Sequence, residues 1–164
     1  MRIRDAREYE VEDLTDVMRA AKRFWGYPDE WMQAWAADLT ITRDDLSTMR
    51  FRVAEQANGI AGFYALVGSG RRVHLEHLWI RPGEMGKGIG RSLVADVLVE
   101  AARCGAEIVA IESDPNAEPF YLRMGAVRVG EVPAPMAGAA NRVLPLLELH
   151  VGRIGSAVPP QSAG

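Results

Sequence analysis

The sequence has 164 residues, of which 48% are hydrophobic and 25% are charged, so we expect one soluble domain with its own core. A formal net charge of −3 does not support a nucleic-acid partner, because such partners usually require a basic face. No apolar run approaches the roughly 20 residues that span a bilayer. The single cysteine, Cys104, excludes an internal disulfide, and we interpret it as a buried structural thiol. These features predict a cytoplasmic protein that does not associate with membranes.

The first part of the chain predicts a strand followed by two helices. Residues 2–6 have the pattern of a short strand. Apolar residues then recur every three or four positions over residues 11–25, which is typical of an amphipathic helix. The glycine and proline within residues 26–28 end that helix, because glycine frees the backbone and proline cannot continue the hydrogen-bond ladder. A second short helix is predicted over residues 29–39.

A hairpin, a strand and a long helix are predicted next. The Asn-Gly pair at 58–59 separates two strand-like segments, residues 51–57 and 60–67. Such a pair takes up a tight turn easily and is a strong hairpin signal. A further strand is predicted over residues 73–80, and the longest helix of the chain over residues 88–103.

The last part of the chain predicts three strands and one short helix. A buried strand is predicted over residues 107–112. A short helix follows over residues 117–124, with Asn116 as its N-cap. The last two strands are predicted over residues 126–131 and 142–151.

The chain shows no internal repeat, and we expect a single domain. We assign residues 1–154 to that domain. Residues 155–164 are small, polar and proline-containing, and we expect them to form a flexible C-terminal tail. The three histidines are scattered without the spacing of metal ligands, so no metal site is predicted.

A glycine-rich loop, Met85-Gly-Lys-Gly-Ile-Gly90, leads into the long helix. The first N–H groups of a helix have no internal partner, and together with the helix dipole they bind anions. Gly86, Gly88 and Gly90 have no Cβ, so a phosphate oxygen can approach the backbone closely. This pattern predicts a pyrophosphate site at the start of the helix. The alternative is a flexible turn in which glycine only supplies conformational freedom.

The loop and a second motif resemble the GNAT (GCN5-related N-acetyltransferase) superfamily. The loop matches the family pattern at Gly88 and Gly90, and it departs from it at Met85, where the family has glutamine or arginine. The second motif follows at the family distance and matches at Asn116, Phe120, Tyr121 and Gly125. The resemblance extends to about residue 151. It implies an α+β fold with a mixed central sheet of about six to seven strands, flanked by about four helices and splayed at the acyl-CoA site.

The resemblance implies that acetyl-CoA is the co-substrate and that its pantetheine arm lies between two splayed strands. Backbone groups of Leu78 and Ile80 would hydrogen-bond to the arm, and Asn116 would contact it from the other side. The amide of Leu78 is the candidate for polarising the thioester carbonyl. The full set of residues expected to bind the cofactor is Leu78, Trp79, Ile80, Met85, Gly86, Lys87, Gly88, Ile89, Gly90, Arg91, Ser92, Asn116 and Tyr121.

The resemblance also implies catalytic groups. Tyr121 matches the position of the family's acid, and the alternative is that it only packs in the core. The base is His74, Glu76 or a water molecule between them, and the residues do not decide among these. His74, Glu76 and Leu78 alternate along one strand, so they share a face unless a bulge intervenes. His77 is then expected on the opposite face.

Aromatic residues between the first two helices predict an acceptor site. We expect Trp25 and Tyr27 to form part of the substrate pocket together with Glu76, and Trp35 to pack in the core. The expected reaction is transfer of an acetyl group from acetyl-CoA to a primary amine of a small molecule or peptide, by direct attack in a ternary complex. A non-catalytic acyl-CoA-binding domain and a protein N-terminal or lysine acetyltransferase are the alternatives. The acceptor, the acyl-chain preference and the oligomeric state stay open, a homodimer included.

Overall fold

The structure is a computed structural model that describes residues 1–153, so the expected tail lies outside the described residues. The strands are β1 (Arg2–Asp5), β2 (Arg50–Gln56), β3 (Gly59–Val67), β4 (Arg72–Ile80), β5 (Ile108–Glu112), β6 (Val127–Pro133) and β7 (Val143–His150). The helices are α1 (Val11–Phe24), α2 (Asp29–Ala34), α3 (Arg43–Thr48), α4 (Ile89–Arg103) and α5 (Glu118–Arg123). Short 3-10 turns precede α1 and follow β4 and β7.

The seven strands form one mixed sheet in the order β1-β2-β3-β4-β5-β7-β6. All neighbouring strands are antiparallel except β4 and β5, which are parallel. This confirms the expected α+β fold with a mixed central sheet. Two hydrophobic cores cover the faces of the sheet: α4 packs on one face, and α1 packs on the other.

One helix, α3, is absent from the sequence prediction. Its N-terminus has a capping box, in which the Thr42 hydroxyl accepts from the Asp45 amide at 3.2 Å and the Asp45 carboxylate accepts from the Thr42 amide at 2.8 Å. The pair satisfies two backbone donors that would otherwise lack partners. The described chain therefore has five α-helices rather than about four.

The sheet opens between β4 and β5. Their ladder pairs only Arg72–His74 with Ile108–Ala110, although β4 continues to Ile80. The second half of β4 therefore diverges from β5, which confirms the expected splay. The backbone edge of that half faces the gap instead of a neighbouring strand.

A β-bulge in β4 changes which side chains share a face. The register pairs Ala65 with His77 and Leu66 with Leu75, which leaves Glu76 as an extra residue without its own partner. An extra residue shifts the alternation of side chains by one position. Leu75 packs in the core under α4 before the bulge, and the side-chain order reverses after it.

The bulge overturns the expected faces in β4. Leu78 packs against the core under α4, whereas Glu76 lines a cavity on the α1 side of the sheet. The bulge is the exception that the sequence prediction allowed for, and His74, Glu76 and Leu78 do not share one face. The prediction for His77 is wrong, because His77 lines the same cavity as Glu76.

Two smaller expectations also fail. Cys104 is exposed rather than buried, because it lies at the C-cap of α4, one position beyond the helical residues. Asn116 does not cap α5: the N-cap is Ala117, which makes no side-chain cap bond. The Asn116 side chain donates to the Tyr27 hydroxyl instead, at 2.8 Å.

Candidate active site

A cleft of about 610 Å³ occupies the gap beside β4. The second half of β4, the glycine-rich loop and α5 form its walls. Ten of the residues expected to bind the cofactor line it: Leu78, Trp79, Ile80, Met85, Gly86, Gly88, Gly90, Arg91, Asn116 and Tyr121. The two motifs, which lie far apart in the sequence, therefore meet around one cavity. We call it the donor cleft.

The glycine-rich loop presents backbone donors at the start of α4. Gly88 is the N-cap, with a left-handed φ of 82° that favours glycine. The amide of Ser92 already donates to the Gly88 carbonyl at 3.1 Å, so the amides before it are those without an intrahelical acceptor. The side chain of Ile89 is buried in the core, and Lys87 pairs with Glu84 at 3.3 Å. The side chains of Lys87, Ile89 and Ser92 accordingly do not line the cleft.

Gly90 has a packing role that the sequence interpretation missed. A Cβ at this position would lie 3.1 Å from the ring of Phe120. This is tighter than ordinary contact, so the missing side chain allows α5 to pack against the start of α4. The same packing brings Tyr121 to the cleft.

Tyr121 is only 6% exposed and lines the donor cleft. Burial raises the pKa of its phenol, and the negative charge of Asp114 raises it further. The hydroxyl is therefore protonated at neutral pH and can act as a donor. Tyr121 also packs in the core under α4. The residue therefore contributes to the core and lines the cleft.

A second cavity, of about 570 Å³, lies on the α1 side of the sheet. Polar and aromatic side chains share its wall: Lys22, Trp35, Asp38, Asp45, Glu76, His77 and Trp79. We call it the acceptor cavity. Among the described residues, Trp79 alone lines both this cavity and the donor cleft. His74 does not line it.

His77 holds the indole of Trp79 and is not a candidate base. Burial lowers the pKa of its imidazole to about 4, so the ring is neutral at physiological pH. Its Nδ1 accepts from the indole N–H of Trp79 at 3.2 Å. In the neutral ring the remaining nitrogen then carries the proton and cannot accept another.

A buried ion pair joins α1 to the loop after β5. The Lys22 ammonium donates to Asp114 at 2.6 Å, and the two side chains are 11% and 10% exposed. Asp114 also accepts from the Tyr27 hydroxyl at 2.9 Å and from the Asn116 amide at 2.8 Å. Burial alone would raise the pKa of Asp114, but Lys22 and these hydrogen bonds outweigh it and lower the pKa.

The sequence contained a signal for Lys22 that the helix prediction did not use. Leu14 and Met18 are buried on one stripe of α1, and Lys22 continues that stripe at the same spacing of four. A lysine on an apolar stripe needs a buried acceptor. Burial lowers the pKa of its ammonium despite the attraction of Asp114.

Tyr27, Trp31 and Trp35 form an aromatic cluster beside this ion pair, with ring centroids 5.1 to 5.8 Å apart. The Lys22 ammonium lies 4.3 Å from the centroid of Trp35, and the Arg142 guanidinium lies 5.4 Å from it. Cations at these distances are attracted to the ring face. Trp25, expected in the substrate pocket, lines the donor cleft instead.

Residues 1–153 contain no group of three or more histidine, cysteine, aspartate or glutamate side chains placed to hold a metal ion. None of the helices in this part of the chain has the length and apolar character needed to cross a membrane.

Comparisons with known proteins agree with this geometry. A family model for the acetyltransferase (GNAT) domain matches residues 15–137, whereas no curated protein sequence matches the chain. A GCN5-related N-acetyltransferase from Rhodopseudomonas palustris has a TM-score of 0.75 at 20% identity, over 91% of this chain and 94% of that one. The PaiA N-acetyltransferase from Thermoplasma acidophilum, in complex with coenzyme A, has a TM-score of 0.71 at 17% identity, over 91% and 98%.

A third solved structure is similar over nearly its whole length. An aminoglycoside 6'-N-acetyltransferase complexed with coenzyme A has a TM-score of 0.70 at 15% identity, over 92% of this chain and 97% of that one. Identities this low support the fold only. The family model covers most of the chain, including both motifs and the splayed strands. The chain belongs to the GNAT acetyltransferase family.

Proposed function

We propose that this chain is an N-acetyltransferase that moves the acetyl group of acetyl-CoA to a primary amine of a small molecule or peptide. One observation carries the proposal: the donor cleft, with its glycine-rich loop, adjoins a separate polar cavity at Trp79. A donor and an acceptor can then be bound together, as direct attack in a ternary complex requires.

In this mechanism the loop amides bind the pyrophosphate, and the β4 edge pairs with the pantetheine arm. The Leu78 amide donates to the thioester carbonyl oxygen and stabilises the negative charge that develops there. The amine nitrogen attacks that carbonyl carbon, and the carbon–sulfur bond breaks. Tyr121 donates to the departing sulfur. Because its pKa is raised, a hydrogen bond to sulfur contributes more than complete proton transfer does.

Glu76 is the proposed base, directly or through a water molecule. It lines the acceptor cavity, and the bulge makes it an extra residue of β4 beside the open part of the sheet. Its carboxylate can take the proton that the amine loses. Trp35 and Trp79 add aromatic walls for an amine that arrives as a cation.

Two other functions remain as rivals. A non-catalytic acyl-CoA-binding domain would need neither the phenol of Tyr121 in the cleft nor a second cavity. A protein acetyltransferase would present the acceptor cavity to a lysine or an N-terminus. Release of free CoA from acetyl-CoA, measured over a panel of small amines and peptides, separates these possibilities. No release with any amine, combined with tight acetyl-CoA binding, would favour the binding domain.

Acetyl-CoA is expected to raise the melting temperature, because a ligand that binds only the native state stabilises it. Gly88→Ala is expected to weaken acetyl-CoA binding at least tenfold in calorimetry, a difference of about 1.4 kcal/mol. The Cβ would point into the space that a phosphate needs, and the left-handed φ of 82° would be strained.

The matched control is Gly105→Ala at the other end of α4. Gly105 has a similar φ of 79° and open space around its Cβ position, so the same backbone strain arises far from the cleft. Equal losses of melting temperature are expected for the two variants, with a loss of acetyl-CoA binding only for Gly88→Ala. A wild type whose melting temperature and calorimetric trace do not respond to acetyl-CoA would contradict the proposal.

Glu76→Gln is expected to lower kcat by about 10²-fold, because general-base help is typically worth 10²- to 10⁴-fold. Acetyl-CoA affinity should change little, since Glu76 does not line the donor cleft. Steady-state kinetics at pH 6–9 with any active amine checks this. His74→Gln is the control, since His74 lies outside the acceptor cavity. A loss confined to His74→Gln would transfer the role of base to that residue.

A further inference from the structure

Trp79 lies where the donor cleft and the acceptor cavity meet. Of the residues that the structure describes, it alone lines both the donor cleft and the acceptor cavity. It directly follows Leu78, whose amide is the proposed partner of the thioester carbonyl. We propose that the Trp79 indole separates the two cavities, limits the acyl chain to acetyl and keeps the acceptor cavity free for the amine. We call this side chain the partition. This inference rests on the proposed function.

The indole is held by a polar contact. Its Nε1–H donates to Nδ1 of His77 at 3.2 Å. The imidazole packs against two phenylalanine rings, with centroids 6.0 Å from Phe51 and 6.2 Å from Phe63. Burial lowers the pKa of His77 to about 4, so its Nδ1 stays available as an acceptor at neutral pH. The contact therefore fixes the orientation of the indole over the working pH range.

The backbone of Trp79 lies close to β3, and this approach requires a glycine at position 62. A Cβ at Gly62, on the neighbouring strand β3, would lie 2.7 Å from the carbonyl oxygen of Trp79. Trp79 pairs with Phe63 across the same two strands and packs against the core under α1. On the α1 side, the Lys22 ammonium lies 6.0 Å from the ring centroid. The partition is thus supported from the sheet and covered by α1.

The position of the partition predicts a chain-length limit. With the carbonyl held by the Leu78 amide, the carbon chain of a longer acyl group has to continue past residue 79 towards the acceptor cavity. A methyl group ends before the indole, whereas longer chains collide with it. An acyl chain that passed this point would also fill the space that the acceptor amine needs. One side chain therefore determines both donor length and acceptor access.

The test measures binding of acetyl-CoA, butyryl-CoA and hexanoyl-CoA by calorimetry, which requires no acceptor. We expect the wild type to bind hexanoyl-CoA at least tenfold more weakly than acetyl-CoA. Trp79→Ala is expected to reverse that order, since each methylene that gains an apolar site adds about fourfold in affinity. Trp79→Phe keeps a ring in the core and opens a smaller space, so butyryl-CoA should gain affinity and hexanoyl-CoA should not.

The control is Trp35→Ala, which removes a tryptophan that lines the acceptor cavity and not the donor cleft. It should keep the wild-type order of the three acyl-CoAs. If both Trp79 variants still bind acetyl-CoA and keep the wild-type order of the three acyl-CoA affinities, the proposed role of Trp79 is wrong. The proposed function is then unaffected. If the wild type binds hexanoyl-CoA as tightly as acetyl-CoA, the proposed role of Trp79 is also wrong. A wild type that binds none of the three overturns the proposed function and this inference with it.

Discussion

Tyr121→Phe is expected to lower kcat by about 10²-fold, the lower end of what acid catalysis typically contributes. The phenylalanine keeps the ring, which packs in the core under α4, so the fold should be retained. Only the hydroxyl group of this cleft-lining residue is lost. The effect stays near the lower end because the raised pKa of Tyr121 favours a hydrogen bond to sulfur over proton transfer. Water can replace part of that bond.

The affinity for acetyl-CoA distinguishes catalysis from binding. It should change little in Tyr121→Phe, because the bond to sulfur strengthens only as charge develops in the transition state. Steady-state kcat and a direct binding constant, both measured on the wild type and the variant, check this. An unchanged kcat, with chemistry shown to be rate-limiting, would leave Tyr121 as a packing residue. Phe120→Leu is a less suitable variant, since Phe120 packs directly on Gly90.

Local sequence patterns were sufficient for all the strands and for four of the five α-helices that the structure describes. The period of α1, the Asn-Gly hairpin and the glycine-rich loop each depend on residues close together in the chain, and each element is present. The hairpin turn differs by one position: Gln56 pairs with Gly59, so Ala57 and Asn58 form the turn. The capping box of Thr42 and Asp45 is a local pattern that could have predicted the start of α3. The helix was missed because six residues are too few for a periodic pattern.

The arrangement of the site could not be predicted from the sequence in the same way. Strict alternation along β4 gave a wrong face for His77, because the bulge depends on how β3 pairs with β4. A bulge is a property of two paired strands, and a pattern within one strand does not contain it. The partner of Lys22 lies 92 positions away at Asp114. Such a pairing becomes visible only when the splayed sheet brings α1 against the loop after β5.

Lys22→Met is expected to lower the free energy of unfolding by about 3 kcal/mol, since breaking a buried pair typically costs 3–5 kcal/mol. Methionine fills a similar volume beside Trp35 but leaves Asp114 without its cation. The hydrogen bonds from Tyr27 and from the Asn116 amide still hold Asp114, which keeps the loss at the lower end. Urea unfolding at pH 7, with an unchanged m-value, measures it.

The pH dependence gives an independent check. Because the folded-state pKa of Asp114 is lowered, its pairing stabilises the wild type fully above the unfolded pKa of about 3.9. That stabilisation disappears as the pH falls through the folded-state pKa. The difference between wild type and Lys22→Met should therefore be constant near neutrality and shrink in acid.

Two further variants separate the buried pair from a surface pair of the same length. Lys22→Met combined with Asp114→Asn should recover most of the lost stability, because the amide can still accept from Tyr27 and no charge is left unpaired. Arg71 and Glu107 are also 2.6 Å apart, but their side chains are 83% and 60% exposed. Arg71→Met should accordingly cost less than about 1 kcal/mol. If Lys22→Met and Arg71→Met unfold at the same urea concentration, the ion pair between α1 and the loop after β5 does not stabilise the fold as argued.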